Sequence, residues 1–430
     1  MVNKIKHTSN FTFAGYDTVE LAKKYGTPLY VLSEEIIRKK CREIKSDFLE
    51  KYENTKAVYA SKAFLTMTMC KIIESEGLGL DVVSGGELYI AIKAGFPMEK
   101  IFFHGNNKSY NEIEMAISHD VGRIVVDHMD ELYMIEEIAA RMDKKVKILI
   151  RIAPGVEGDT HKFMSTGQKD SKFGIPLDKK SIDEVMIKVL NSEHIELMGF
   201  HFHIGSNLFD NECYVKSVEI VARLYKRLKD DFGFIAKELN TGGGYGIYYT
   251  NRDGVKPLRY YTDSIMNAVL ENCKLLDLDI PSVIIEPGRW IVGEAGITLY
   301  TVGAVKDIPD VRTYVSVDGG LPDNPRPALY SAKYEAIVAN KYDKEPDRYV
   351  TIAGKCCESG DILIWDLKVP EIERGDILAV LSTGAYNHSM ASNYNGTPRP
   401  AVLLLGKDGE RIMIERESYE DLIKRERIIF

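Results

Sequence analysis

The sequence predicts an α/β protein in which a (β/α)8, TIM-like barrel is joined to a second, all-β domain. Between about residues 36 and 285, short apolar runs alternate with helical stretches, which is typical of a parallel sheet. After residue 289 the apolar runs are separated by turn signals and lack long helical stretches between them. The 430 residues leave room for both parts, since a barrel of this kind takes about 250.

Eight apolar, β-rich runs define the predicted barrel, residues 36–285. The first five begin 21–23 residues apart, which is enough for a strand, a helix and two short loops. The segments between them, such as 66–75 and 130–142, carry helical periodicity. The eight runs are AVYAS (57–61), LGLDVVS (78–84), KIFFHG (100–105), RIVVD (123–127), VKILIRI (146–152), LMGFHFHIG (197–205), KELNTGGG (237–244) and SVIIEPGR (282–289).

Residues 286–430, together with residues 1–35, are predicted to form the β-rich domain, a sandwich or a barrel-like sheet. Residues 11–33 have the pattern of a strand, a short helix and a second strand, and we expect them to join this domain. The other runs that indicate strands are ITLYTVGAV (297–305), TYVSVDGG (313–320), RYVTIAG (348–354), DILAVLS (376–382) and AVLLLG (401–406).

A long polar insert, APGVEGDTHKFMSTGQKDSKFG (153–174), follows the fifth predicted barrel strand. Loops after barrel strands lie at the end of the barrel where active sites form, so the insert is a candidate substrate or interface loop. On composition alone, a solvated surface excursion is an equally good interpretation.

The composition excludes several classes of protein. The net charge is −8, from 56 basic and 64 acidic residues, so the chain lacks the excess of basic residues that is typical of nucleic-acid-binding proteins. No apolar run approaches the ~20 residues of a membrane span, and the first residues, MVNKIKHTSNF, lack the apolar core of a signal peptide. Six scattered cysteines without a CxxC pair are typical of neither a disulfide framework nor a zinc site. We therefore expect a cytoplasmic protein.

Polar residues gather where the predicted barrel strands end, which is where barrel enzymes carry their chemistry. Lys62 follows the first run directly, so its amine is expected to point into the barrel mouth, where desolvation and cationic neighbours would make it a nucleophile toward a carbonyl. The glycines of 242–246 expose backbone N–H groups that suit a phosphate, although glycines also serve simple tight turns. Arg289, after the eighth run, favours the phosphate interpretation.

A lysine nucleophile beside a phosphate site points to pyridoxal 5′-phosphate. Glu286 fits the same interpretation, because a carboxylate against the pyridine nitrogen keeps that nitrogen protonated and strengthens the ring as an electron sink. The alternative for Glu286 is a structural salt bridge with Arg289. His201 and His203 lie two apart on one strand, so they face one side. We expect one of the two histidine rings to stack on the cofactor and the other to be a core histidine. A metal site is disfavoured, because no Asp or Glu with ligand spacing accompanies the pair.

Taken together, these motifs resemble the fold-type III decarboxylases that use pyridoxal phosphate, and within them the branch that acts on diaminopimelate. The resemblance covers nearly the whole chain. The general motifs are YASKAF (59–64), LDVVSGGEL (80–88), HFHIGS (201–206), GGGYG (242–246), EPGR (286–289), CES (357–359) and GAY (384–386). The stretches that favour the branch are 154–174, DNPRPALY (323–330) and CESGD (357–361).

The resemblance implies decarboxylation of meso-2,6-diaminopimelate to L-lysine and CO2 by a homodimer that builds each site across its interface. It implies that Lys62 holds the cofactor covalently and that Cys357 donates a proton from the partner subunit. The further cofactor residues that it implies are His203, Ser206, Gly243, Gly244, Glu286, Gly288, Arg289 and Tyr386. The substrate residues that it implies are Arg289, Arg326, Tyr330, Glu358 and Tyr386. The sequence departs from the family pattern at Asn207, usually Gln, and at Trp290, usually a small residue.

Several alternatives remain open on the sequence. A related decarboxylase of carboxynorspermidine, D-ornithine or D-lysine is the nearest of them. A barrel-plus-β racemase is disfavoured by Glu286, since a strong electron sink invites side reactions there. A non-catalytic homologue would be expected to have lost Lys62 or Cys357, and both are present. A vicinal cysteine pair such as 356–357 can also be simple apolar packing. A metal-dependent barrel hydrolase would instead bind zinc.

Overall fold

A computed structural model describes residues 10–156, 171–251 and 253–430. Within those limits the chain forms two compact units. The barrel unit comprises residues 38–247 and 254–291. The β unit comprises residues up to 37, the short segment 248–253, and residues 292–430. Most of the predicted insert, residues 157–170, lies outside the described residues.

The barrel unit contains a closed barrel of parallel strands, as the sequence predicted. Its strands follow the barrel circumference in chain order, and the last pairs with the first, Ile285 lying in register with Ala57. All eight predicted runs contribute a strand. These strands are β4 (Thr55–Ala60), β5 (Gly79–Val82), β6 (Ile101–Phe103), β7 (Arg123–Val126), β8 (Val146–Arg151), β9 (Ile195–His201), β10 (Glu238–Asn240) and β11 (Ser282–Ile285).

Helices connect the barrel strands, and side-chain caps mark where several of them begin. Ser84 caps one helix through the backbone N–H of Glu87, and Ser109 forms a full capping box with Glu112 at the next. One helix, α2 (Glu34–Ile44), precedes the first barrel strand. The connecting helices are α3 (Met67–Ser75), α4 (Gly85–Lys93), α5 (Tyr110–Ser118), α6 (Met129–Arg141), α7 (Lys179–Leu190), α8 (Glu212–Phe232) and α9 (Leu258–Leu275).

The barrel is filled by side chains and has a continuous apolar interior. Residues of six different strands form one buried cluster, and none of them is more than 8% exposed. This filling leaves the strand ends, and not a central channel, as the place for polar chemistry. The cluster is Val58, Phe102, Val125, Leu149, Met198 and Ile284.

The β unit is built on one large mixed sheet. Its strands are β3 (Leu29–Ser33), β12 (Gly296–Ile308), β13 (Arg312–Val317), β14 (Ala336–Val338), β15 (Arg348–Ala353), β16 (Ile362–Val369), β17 (Ile377–Val380), β18 (Ala401–Gly406) and β19 (Gly409–Ile414). They lie in the order β16-β15-β13-β12-β3-β18-β19, with β17 pairing to β12 and β14 pairing to β17. The early strand β3 pairs with β12 and β18, so the N-terminal segment joins this sheet as expected.

The sequence missed several elements of the β unit. Strands β16 and β19 carry exposed positions that weaken an apolar signal, and β14 is only three residues long; Trp365 in β16, for example, is 57% exposed. Other short elements of the chain include a hairpin of β1 (Thr12–Phe13) and β2 (Tyr16–Asp17), and the helices α1 (Thr18–Tyr25), α10 (Arg289–Val292), α11 (Arg326–Tyr330) and α12 (Tyr419–Ile423). Among the described residues, we find no helix with the length and apolar character needed to cross a bilayer.

Candidate active site

Lys62 lies directly after β4, at the C-terminal end of the barrel strand. It belongs to a single 3-10 turn, Ser61–Ala63, and its side chain is exposed. A hydrogen bond stabilises the chain just after this turn: the buried Tyr59 donates to the carbonyl oxygen of Phe64 at 2.7 Å. Burial raises the pKa of the carboxyl group of Asp81 in β5, and the positive charge of Lys62 opposes this rise. The predicted nucleophile is therefore presented at the barrel mouth.

Glu286 follows β11 and is almost fully buried, with three polar side chains around its carboxylate. Asn240, at the end of β10, donates to Oε1 at 2.7 Å. His104 Nε2 lies 2.8 Å from Oε1, a distance that makes an ion pair when the imidazole is protonated, without the alignment of a hydrogen bond. His201 Nε2 lies 3.2 Å from Oε2. The carboxylate of Glu286 is therefore held by side chains from the ends of other barrel strands.

The surroundings of Glu286 keep it ionised. Burial alone would raise the pKa of the Glu286 carboxyl, but His104 and His201 together hold this pKa well below its ordinary value. Burial lowers the pKa of His201 to about 3, even though Glu286 opposes that shift. Near them, burial raises the pKa of Asp81. The barrel mouth therefore holds a buried carboxylate that can receive a cationic or N–H donor group.

The two histidines of HFH have different surroundings. His201 is 1% exposed and contacts Glu286. The ring of His203 is half-buried, and its Nδ1 accepts a hydrogen bond of 3.3 Å from the backbone N–H of Gly243. His203 therefore carries its ring proton on Nε2 when neutral, and its ring is tied to the glycine loop.

The glycine loop after β10 admits no side chain at two consecutive positions. A Cβ atom at Gly243 would lie 2.0 Å from the carbonyl oxygen of Glu286. At Gly244, whose φ of +109° also favours glycine, a Cβ atom would lie 2.2 Å from the carbonyl oxygen of Gly205. Nearby, Arg289 donates through Nη2 to the Ser206 hydroxyl at 2.9 Å. The glycine loop thus places main-chain N–H groups without side chains near the buried Arg289 and Ser206. Together these groups are suited to binding a phosphate.

The two departures from the family pattern both have a structural explanation. Asn207 adopts a φ of +62°, a conformation that Asn tolerates better than Gln, and its side chain accepts from the N–H of Ile247 at 3.3 Å. Trp290 is 4% exposed, and the Lys40 ammonium lies 4.0 Å from its ring centroid. Both residues therefore pack within the barrel unit.

The β unit places the other predicted residues. Arg326 begins α11 and is 3% exposed; its contacts are with Tyr249 and Tyr334, neither of which the sequence indicated. Tyr330 at the end of α11 is half-buried. Tyr386 is also half-buried and has a φ of +60°, which is unusual for an aromatic residue.

Cys357 and Glu358 are exposed, on a turn between β15 and β16. The turn is organised by the buried Asp361, whose carboxylate accepts from the N–H groups of Leu321 at 2.7 Å and Cys356 at 2.9 Å. The N–H of Cys357 itself donates to the side chain of Asn395 at 3.0 Å. The turn is therefore rigidly supported while its two predicted functional side chains face outward.

Sequence reasoning missed His104 and Asn240, although a usable signal existed. Each follows or ends a barrel strand, the same position that singled out Lys62 and Glu286. The set His104, His201 and Glu286 could also hold a metal ion, since one ligand atom of each lies within 4.8 Å of the others. His203 is not part of this set. Among the described residues, the group that could bind a metal ion is therefore this trio and not the pair His201 and His203.

Known proteins resemble this chain over nearly its full length. Residues 34–293 match the family described as pyridoxal-dependent decarboxylase, pyridoxal binding domain. Diaminopimelate decarboxylases from Bacillus subtilis (strain 168) and Bacillus methanolicus are 49% and 48% identical to it, over 95% and 97% of this chain and 93% and 96% of theirs. The crystal structure of diaminopimelate decarboxylase from M. jannaschii matches with a TM-score of 0.91 at 36% identity, over 98% of this chain and 96% of that one. The chain therefore belongs to the diaminopimelate decarboxylases, within the pyridoxal-dependent decarboxylases.

Proposed function

We propose that this chain uses pyridoxal 5′-phosphate to decarboxylate meso-2,6-diaminopimelate, giving L-lysine and CO2. The observation that carries the proposal is Glu286, a buried carboxylate held ionised at the end of β11. A protonated pyridine nitrogen is the kind of partner that such a group needs. Relatives at 44–49% identity carry the name of this activity, and solved relatives from M. jannaschii and Helicobacter pylori are described in complex with L-lysine.

The residues of the barrel unit fit the cofactor. Lys62 would hold it covalently, Glu286 would pair with its ring nitrogen, and His203 would lie against its ring. The close approach of bare backbone at Gly243 and Gly244 supports their role in phosphate binding. The remaining residues that we assign to the cofactor are Ser206, Gly288, Arg289 and Tyr386. When bound, the cofactor supplies an electron sink for the charge left at Cα as CO2 departs.

Arg326 is our candidate for holding a substrate carboxylate. It is 3% exposed, and among the described residues no carboxylate forms an ion pair with it. A buried guanidinium without an anion is costly, so a ligand carboxylate would relieve that cost. Arg289 and Tyr330 are assigned to the same ligand. The carboxylate requirement would reject diamines, and it would exclude simple diamino acids as substrates, because these have no second carboxylate to lose.

Cys357 and Glu358 are proposed to act in the site of a partner subunit. Decarboxylation leaves a carbanion that must be protonated on a defined face, and a thiol can supply that proton. Glu358 would meet the substrate amino group. The exposure of both side chains on a well-supported turn is what supports a role toward another copy of the chain. The homodimer itself is part of this proposal.

Two further assignments are also proposals. We assign cofactor binding to the barrel, predicted as residues 36–285 and extending to residue 291 in the structure, and the supporting role to the β-rich domain, predicted as residues 1–35 with 286–430. A cytoplasmic location fits the six free cysteines and the biosynthetic reaction.

The test is a substrate panel combined with chemical trapping. Purified, cofactor-saturated protein should release CO2 from meso-diaminopimelate much faster than from carboxynorspermidine, D-ornithine or D-lysine. Borohydride should fix the cofactor to Lys62, as read by peptide mass mapping. Lys62→Ala should abolish turnover, while Lys274→Ala, an exposed lysine near the end of α9, should not. A colourless protein with bound zinc, or turnover that survives Lys62→Ala, would overturn the proposal.

A further inference from the structure

Two tyrosines hold one end of the Arg326 guanidinium. Nη1 of Arg326 donates to the phenolic oxygen of Tyr334 at 2.5 Å and to that of Tyr249 at 3.1 Å. All three side chains are buried, with exposures of 3% to 6%. Tyr249 lies about 80 residues before the other two, so the contact depends on the folded β unit and not on local sequence.

The aromatic rings add to this hold. They meet edge to face, with centroids 5.4 Å apart and planes at 89°. The guanidinium carbon lies 5.0 Å from the Tyr249 centroid and 5.6 Å from that of Tyr334, within the range of cation–π attraction. An arginine side chain has several rotatable bonds, and fixing it in advance removes an entropic cost from ligand binding.

The hydrogen-bond pattern determines which edge of the guanidinium is offered to a ligand. Both bonds to tyrosine use Nη1, so Nε and Nη2 have no hydrogen-bond partner among the described residues. The Nε and Nη2 edge has the fork geometry that binds a carboxylate through two parallel bonds.

We propose that Tyr249 and Tyr334 are positioning residues that lock Arg326 for recognition of the substrate carboxylate that survives the reaction. This inference rests on the proposed function. Decarboxylation removes one of the two carboxylates of diaminopimelate, and the product lysine keeps the other. The tyrosine pair therefore sets selectivity for amino acids over diamines at the non-reacting end of the ligand.

The test compares two ligands that differ only in that carboxylate. L-lysine and pentane-1,5-diamine are measured as inhibitors of the cofactor-loaded wild type, of Tyr249→Phe and of Tyr334→Phe. Each Phe variant keeps its ring and loses only its hydroxyl. We expect each to weaken inhibition by L-lysine by ~10-fold, the effect of one hydrogen bond to a charged group, and to leave inhibition by the diamine within about twofold. KM for diaminopimelate should rise more than kcat falls.

Tyr349→Phe is the matched control, because Tyr349 lies in the same unit and is 65% exposed. It should leave both inhibition constants unchanged. If both ligands weaken equally in the two variants, or if neither weakens, the inference is wrong. Thermal melting of each variant separates a loss of packing from a loss of recognition. If the wild type does not decarboxylate diaminopimelate, the proposed function is wrong, and the inference that rests on it is wrong as well. If the wild type is active and the Phe variants behave like the wild type, only the inference is wrong.

Discussion

The imidazole of His104 places its Nε2 atom 2.8 Å from Oε1 of Glu286, and both side chains are 6% exposed. His201 contacts the other oxygen, at 3.2 Å. Two histidines from β-strand ends thus share one buried carboxylate. The contact matters because a buried carboxyl group would otherwise take up a proton and lose its ability to hold a protonated ring nitrogen.

Replacement of His104 by Phe should weaken cofactor binding. The variant keeps an aromatic ring in the site but removes the imidazole that helps to lower the pKa of Glu286. We expect the dissociation constant for pyridoxal phosphate to rise by ~10-fold, since the buried carboxylate loses one close polar partner. The measurement is equilibrium dialysis of the apoprotein with the cofactor. His119→Phe, at an exposed histidine after α5, is the control, and equal affinity in both variants would contradict the role of His104.

Much of the barrel site could be predicted from sequence because its residues follow a positional rule. Lys62, Glu286 and the 242–246 glycines stand where buried strands end, and such ends meet at one face of a barrel. His104 obeys the same rule, yet it stands alone after a three-residue strand, and a single histidine there carries no motif.

The β unit was less predictable for a physical reason. Arg326 was found through a motif, whereas Tyr249 and Tyr334 are ordinary tyrosines in sequence. Their role comes from a non-local contact that places segment 248–253 beside α11. Likewise, strands such as β16 are partly exposed, so the alternation of apolar and polar residues that predicts a strand is weak in them.

Substitutions of Arg326 should affect the use of substrate far more than the stability of the fold. Arg326→Lys keeps the charge but loses the planar fork, and we expect kcat/KM for diaminopimelate to fall by ~10-fold. Arg326→Ala removes the charge as well, and a fall of ~10²-fold or more is expected. Steady-state assays of both variants check this. Unchanged kcat/KM in Arg326→Ala would remove Arg326 from the substrate site.

Glu87 should make stability depend on pH between about pH 4.5 and 7. Burial raises its pKa from 4.5 to about 7, although the Val83 N–H, which donates at 2.8 Å, opposes this. The folded chain therefore keeps a proton that the unfolded chain has lost in this range. The resulting stabilisation is complete below pH 4.5 and is lost as pH rises through about 7, at up to ~1.4 kcal/mol per pH unit.

Glu87→Gln tests this dependence, because glutamine can still accept from Val83 but does not titrate. The melting temperature of the wild type should fall more steeply than that of Glu87→Gln between pH 5 and 7. Parallel curves would mean that Glu87 titrates at its ordinary pKa in the folded chain. Glu99→Gln, an exposed position before β6, should follow the wild type.

Lys108 and Glu131 form an ion pair that is sealed inside the barrel unit, with exposures of 2% and 0% and a separation of 2.6 Å. Lys108 also donates to the carbonyl oxygens of Gly105 and Val125, both at 2.8 Å. Glu131 accepts from the N–H of Asp127 at 2.8 Å. The pair therefore ties the loop after β6 to the start of α6.

Lys108→Met should destabilise the chain strongly, since it leaves a buried carboxylate without its cation. Loss of one partner from such a pair costs about 3–5 kcal/mol. The double variant Lys108→Met with Glu131→Gln removes the stranded charge and keeps an acceptor for Asp127, so it should regain a large part of that loss. Urea unfolding of the wild type and of both variants gives the comparison. If the double variant is less stable than Lys108→Met, the buried charge is not what destabilises the single variant.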